Sequence, residues 1–156
     1  MATTISEGKK APAVTFTLDN GDAASLKDYL GKKVVFYFYP KDDTPGCTKE
    51  AIAFSEDIAK FKRAGAVVIG VSRDTVAKHQ KFIVKHGLKV VLASDEAGTV
   101  TEKFCVWVEK NMYGRKYMGI ERSTFLIDEK GVIQKIWRKV KVAGHAEDVL
   151  AAVKEL

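Results

Sequence analysis

The chain has 156 residues, of which 46% are hydrophobic and 29% charged, and a formal net charge of +6; this suits one domain over residues 1–156 with a real core. Its longest apolar run falls far short of the roughly 20 residues a membrane helix needs. Residues 1–7 carry no basic stretch followed by an apolar one, so a secretory leader is not expected and the cytoplasm is.

Taken in chain order, residues 13–18 read as a short strand, followed by a turn at 19–22. Residues 25–30 read as a short helix closed by Gly31. Residues 34–39 are continuously apolar and β-prone, as a central strand buried on both faces should be. One helix is expected over 45–64, with Ala51, Phe54, Ile58 and Phe61 on one stripe and Gly65 as its stop. A second buried strand follows at 66–71, a helix at 75–86 stopped by Gly87, a third strand at 90–93 and a short helix at 98–105. Residues 105–121 have no clean period and read as a long loop or irregular extended segment over the sheet. Strands at 123–127 and 132–137 join through a hairpin turn with Gly131, and 145–156 is an amphipathic helix. The alternation predicts an α/β fold with a mixed central β-sheet flanked by helices.

Two cysteines cannot make a disulfide framework, and no CxxC occurs, which excludes dithiol exchange within one motif. The histidines at 79, 86 and 145 show no metal-ligand spacing with them, so no metal site is expected. Basic residues are densest at 135–141, read as a solvated strand face with lysines guarding an edge rather than as a nucleic-acid surface.

The chemistry centres on Cys47. Thr44-Pro45 is a helix start: threonine suits the N-cap and proline the first helical position. Cys47 is then the third helical residue, where free N–H groups and the helix dipole favour a negative sulfur. Thiols so placed ionise at roughly 3.5–7.5. A thiolate can attack a peroxide oxygen, provided donors meet the charge on the departing one. Candidates are the backbone N–H of Gly46 or Cys47, the Thr44 hydroxyl and one arginine, with Pro40 shielding the pocket from water. Arg122 directly precedes the apolar strand at 123–127, so a sheet holds its base, and a guanidinium can pair with both thiolate and peroxide. By spacing alone, an ordinary surface role at a strand entry serves Arg122 as well.

Pro40-x-x-x-Thr44-x-x-Cys47 resembles the active-site motif of the peroxiredoxins. The stretch from Phe36 to Glu50 is similar to their bacterioferritin-comigratory, or Q-type, subgroup. The likeness continues through Gly70-Val-Ser-Arg-Asp, Ser94-Asp, residues 110–118 and residues 119–128. The resemblance implies a thioredoxin-like fold and reduction of hydrogen peroxide and organic hydroperoxides, with Cys47 oxidised to a sulfenic acid and no bound cofactor. It carries Pro40, Thr44 and Cys47 over as active-site residues, with Gly46 beside the substrate, and matches Arg122 to the arginine that supports the thiol.

The chain departs from that pattern at the resolving cysteine. Many Q-type members carry it five residues after the peroxidatic one, where this chain has Ile52; others place it on the following helix, and 75–86 has none. Cys105, between Phe104 and Val106, reads as a buried packing residue rather than a resolving thiol. The expectation is a one-cysteine enzyme recycled by an external thiol, either thioredoxin or glutathione with glutaredoxin, acting as a monomer or weak homodimer. The alternative is a peroxide-sensing interaction module built on the same cysteine, which would not need the Thr44 and Arg122 donors.

Overall fold

The computed structural model describes residues 5–156; the first four residues of the stretch read for a secretory leader lie outside the described residues. In chain order the strands are β1 Thr15–Leu18, β2 Ala23–Ser25, β3 Lys33–Phe38, β4 Ala66–Ser72, β5 Val91–Ser94, β6 Trp107–Met112, β7 Arg115–Ile120, β8 Ser123–Ile127 and β9 Ile133–Trp137. The helices are α1 Pro45–Glu56, α2 Ile58–Arg63, α3 Val76–His86, α4 Thr99–Lys103 and α5 His145–Lys154, with a 3-10 turn at Leu26–Tyr29.

Seven strands form one mixed sheet in the order β2-β1-β5-β4-β3-β8-β9. β3, β4 and β5 run parallel, while β1 and β8 join this trio antiparallel. The helical connections between parallel strands are what such pairing requires. Side chains alternate across β3. Val35, Tyr37 and Tyr39 enter one core with Phe54, Phe61, Phe82 and Val149 from α1, α2, α3 and α5. Val34, Phe36 and Phe38 enter the other, with Phe104, Val106, Ile120 and Phe125. Burial on both faces explains why this segment is apolar throughout.

Several expectations need correction. The turn at 19–22 belongs to a β1–β2 hairpin, whose second strand is too short to leave a readable pattern. The helix expected over 45–64 is two helices meeting at Asp57, where the N–H of Asp57 turns back to the Phe54 carbonyl. Aspartate is a poor interior helix former, and Phe54 and Phe61 still meet across the break with ring centroids 5.9 Å apart.

The largest correction is at 105–121. These residues form no irregular segment but mainly an antiparallel hairpin, β6–β7, a separate two-stranded sheet. Its turn is Tyr113-Gly114, with φ of 52° and 80°. That pair of left-handed residues is a type I′ geometry, usually signalled by Asn-Gly. A tyrosine in the first place hides the turn, and the largely exposed strands hide the alternation.

Candidate active site

Topology brings the site together. β3 ends at Phe38, and the chain leaves it through Tyr39 and Pro40 toward α1. β8 lies antiparallel beside β3 with Ser123 opposite Phe38. Arg122, one residue before β8, is thereby set beside the first turn of α1. The sheet register thus joins residues 75 positions apart.

Thr44 is the N-cap of α1 and Pro45 its first residue, so Cys47 lies third in the helix as expected. The Thr44 side chain, however, makes no capping hydrogen bond. Its hydroxyl donates instead to the Lys41 carbonyl at 2.9 Å. The N–H groups of Gly46 and Cys47 precede the first residue able to bond back within the helix, Thr48. They remain donors at the foot of the thiol.

Cys47 is only 2% exposed, although it stands in the first turn of its helix. It belongs to the core formed by Tyr37, Ala51 and Phe54. Its polar contact is Arg122, whose Nη2 donates to Cys47 Sγ at 3.3 Å. The other arm, Nη1, donates to Glu50 Oε1 at 2.8 Å. Gly46 makes this approach possible, since a Cβ there would stand 3.2 Å from Arg122 Nη2. Pro40 is exposed at the rim.

Glu50 carries no mark in the sequence that singles it out. It shares a helix face with Cys47 three residues earlier. It is buried, and its Oε2 has no hydrogen-bond partner. Burial pushes its carboxyl up to about 7, against the pull of the Arg122 guanidinium. For Arg122, burial works against the charge, but Glu50 and Cys47 outweigh it and hold the guanidinium above its ordinary value. The Cys-x-x-Glu spacing at a helix start is a signal of sorts, but only the cation that β8 brings against it gives it meaning.

Two further groups adjoin the site. Lys110 on β6 is half-buried, and burial together with Arg122 lowers its ammonium below the usual lysine range. His145 opens α5, bonded to Thr124 Oγ1 at 2.8 Å. Burial pushes its imidazole down to about 4, helped by Arg122 and opposed by Asp148.

The loop before Cys47 is tied to α3. Asp42 Oδ2 lies 2.6 Å from His79 Nδ1, while His79 Nε2 donates to the Ala93 carbonyl at 3.0 Å. The Tyr39 hydroxyl donates to Asp42 Oδ1, and the Asp42 N–H to Asp74 Oδ2 at 2.8 Å. Asp43 pairs with Lys85 and His86.

Cys105 is not the buried packing residue expected from its neighbours. Phe104 and Val106 are buried, but Cys105 is exposed, with a φ of 58°. The left-handed turn after α4 swings its side chain outward. Both cysteines are free thiols. Among the described residues, no group of three or more His, Cys, Asp or Glu could hold a metal, and no helix is long and apolar enough to cross a membrane.

The AhpC/TSA family model matches residues 8–136. Peroxiredoxin Bcp of Bacillus subtilis is 48% identical over 153 residues, covering 98% of each chain. Peroxiredoxin Bcp of Xanthomonas campestris is 48% identical over 147 residues, covering 92% of each. A solved structure of the Xanthomonas campestris bacterioferritin comigratory protein, studied for its alkyl peroxide reduction activity, superposes with a TM-score of 0.87 at 46% identity, covering 91% of this chain and 90% of that one. The mixed sheet is therefore the thioredoxin-like sheet of these enzymes, and the chain belongs to the AhpC/TSA family, among its Bcp, or Q-type, peroxiredoxins.

Proposed function

We propose that Cys47 is the peroxidatic residue of a one-cysteine peroxidase that reduces hydrogen peroxide and organic hydroperoxides and is recycled by an external thiol. The observation that carries this reading is the fork of Arg122 between Glu50 and Cys47 Sγ. A partly buried guanidinium aimed at a first-turn sulfur favours its anionic form and meets negative charge on an adjacent oxygen.

In the first step the Cys47 thiolate attacks the terminal peroxide oxygen. The S–O bond forms as the O–O bond breaks, and the departing oxygen leaves as hydroxide or alkoxide and takes up a proton. Donors to that oxygen are the N–H groups of Gly46 and Cys47 and the Thr44 hydroxyl, once it rotates away from the Lys41 carbonyl, acting in a site that excludes bulk water. Pro40, lacking an N–H, forms part of the rim. Arg122 keeps its charge throughout. The product is a Cys47 sulfenic acid; an external thiol attacks its sulfur, forming a mixed disulfide and releasing water, and a second thiol then attacks that disulfide and frees Cys47.

Ile52 stands where a resolving cysteine would be on α1, and α3 carries none. We therefore read thioredoxin, or glutathione with glutaredoxin, as the source of the reducing thiol. Free thiols at both cysteines fit a reducing cytoplasm, to which we assign the chain, as one domain acting as a monomer or weak homodimer. The test is Cys47→Ser, which keeps the size but not the nucleophile. Turnover of hydrogen peroxide with dithiothreitol should vanish while circular dichroism is unchanged; substantial remaining turnover overturns the assignment.

A further inference from the structure

The β6–β7 hairpin concentrates exposed apolar surface. Met112, Tyr113, Tyr117 and Met118 are all exposed on it, while the other large exposed hydrophobics of the described residues, Leu30, Val84 and Leu156, are scattered. Scattered apolar residues need no explanation, but a cluster marks an interaction surface. Tyrosine, methionine and arginine are also the residues enriched at protein interfaces.

One face of the hairpin leads to the thiol. Lys110 pairs with Tyr117 and Met112 with Arg115. Residues directly opposite share a face, so these four form one row from tip to base. At the base end the Lys110 stem passes over Gly119, where a Cβ would stand 3.2 Å from Lys110 Cδ. Lys110 is close enough to Arg122 and Cys47 to feel both charges. An oxidised Cys47, 2% exposed, needs a reductant that engages the surface around it.

Charge selects the occupant. The hairpin carries Lys110, Arg115 and Lys116 against the single carboxylate of Glu109, which lies 3.8 Å from Lys116. A second copy of this chain, at +6, would set like charge against like. An acidic partner is complementary.

We propose that this hairpin face is the docking surface for an acidic dithiol protein that reduces oxidised Cys47, an inference that rests on the external-thiol reading above. The partner's first thiol attacks the sulfenic sulfur, forming an S–S bond and releasing water. Its second thiol then attacks the mixed disulfide, leaving the partner oxidised and Cys47 reduced.

The test compares wild type with two variants on that face, Arg115→Glu, and Met112→Thr combined with Tyr117→Thr. Threonine is a good strand residue and the Tyr113-Gly114 turn is untouched, so the second pair keeps the hairpin. Turnover of hydrogen peroxide is driven either by dithiothreitol or by a thioredoxin of net negative charge with its reductase. In each variant the KM for thioredoxin should rise on the order of tenfold, and the wild-type KM should rise with added salt. Dithiothreitol-driven turnover should stay unchanged, which also certifies folding. An unaltered thioredoxin KM in the charge-reversed variant overturns the dock, as does a wild type that runs on dithiothreitol or glutathione but not on thioredoxin. A wild type that dithiothreitol cannot recycle, or that forms a Cys47–Cys105 disulfide on peroxide treatment, brings down the external-thiol reading itself and the dock with it.

Discussion

Replacing Arg122 by lysine keeps a positive charge and removes the fork. The guanidinium reaches Glu50 Oε1 at 2.8 Å and Cys47 Sγ at 3.3 Å with different nitrogens. A single ammonium cannot stand in both places, and above neutrality, where Glu50 is ionised, the carboxylate competes for it. The sulfur is then left without a charge-assisted hydrogen bond, an interaction worth about 1.5–3 kcal/mol. If that bond stabilises the transition state to the same extent, peroxide reduction slows by about 10- to 150-fold, at a factor of ten per 1.36 kcal/mol. The assay is single-turnover stopped flow of the reduced protein against hydrogen peroxide at several concentrations, which isolates the first step from recycling. Circular dichroism and thermal unfolding should show the fold retained. A second-order rate constant within about twofold of wild type would refute the reasoning and place Arg122 outside the chemistry.

Thr44→Val should slow the same step by about 10²–10³ if the hydroxyl meets the departing oxygen, while stability changes little, because the hydroxyl bonds only the Lys41 carbonyl; an unchanged rate would leave Thr44 a structural residue. With Glu50 near 7, its carboxylate competes for Arg122 above neutrality, so the wild-type peroxide rate should show an inflection near pH 7 that Glu50→Gln removes, and a profile identical in the two proteins would refute this. His145 is held at about 4 against an ordinary value of 6.5. A depressed histidine leaves stability intact above the unfolded value and withdraws it as pH falls from 6.5 toward 4, by roughly 2–3 kcal/mol; urea unfolding of His145→Gln should show a shallower loss across that window. Cys105→Ser should leave both the first turnover and dithiothreitol recycling unchanged, because its side chain is exposed; faster over-oxidation in the variant would make Cys105 a resolving thiol.

Much of this is legible in the residues. The doubly buried β3, the helix start at Thr44-Pro45 and the place of Arg122 before β8 all follow from local pattern, and the family likeness joins them. What escapes depends on contacts between distant segments. Glu50 is an ordinary helical glutamate until β8 places a guanidinium against it. His79 is a lone histidine on α3 until Asp42, arriving from the loop after β3, meets it at 2.6 Å. The surroundings of Cys105 cannot be read from its neighbours, because flanking hydrophobicity reports on those neighbours, whereas a left-handed φ decides which way the side chain itself points. Hairpin β6–β7 escapes for the opposite reason: it packs little of its length against the core, so burial imprints no alternation on its sequence.

The charges around Cys47 show how the site keeps its nucleophile without an uncompensated buried charge. A thiolate at Cys47 and a carboxylate at Glu50 would set two anions against the one guanidinium that touches both. Burying a net charge is costly, and the structure relieves that cost at Glu50, where burial and an unpartnered Oε2 favour the protonated form up to about pH 7. His145 cannot supply the missing cation, because it stays neutral down to about pH 4. Lys110 adds positive charge from the hairpin, but it does so half-buried and repelled by Arg122. Glu50 is therefore the group on which the balance turns: protonated, it leaves one anion against the guanidinium; ionised, it makes two. The Glu50→Gln pH profile tests whether this carboxylate, three residues from the thiol, acts on it through the arginine whose two arms they share.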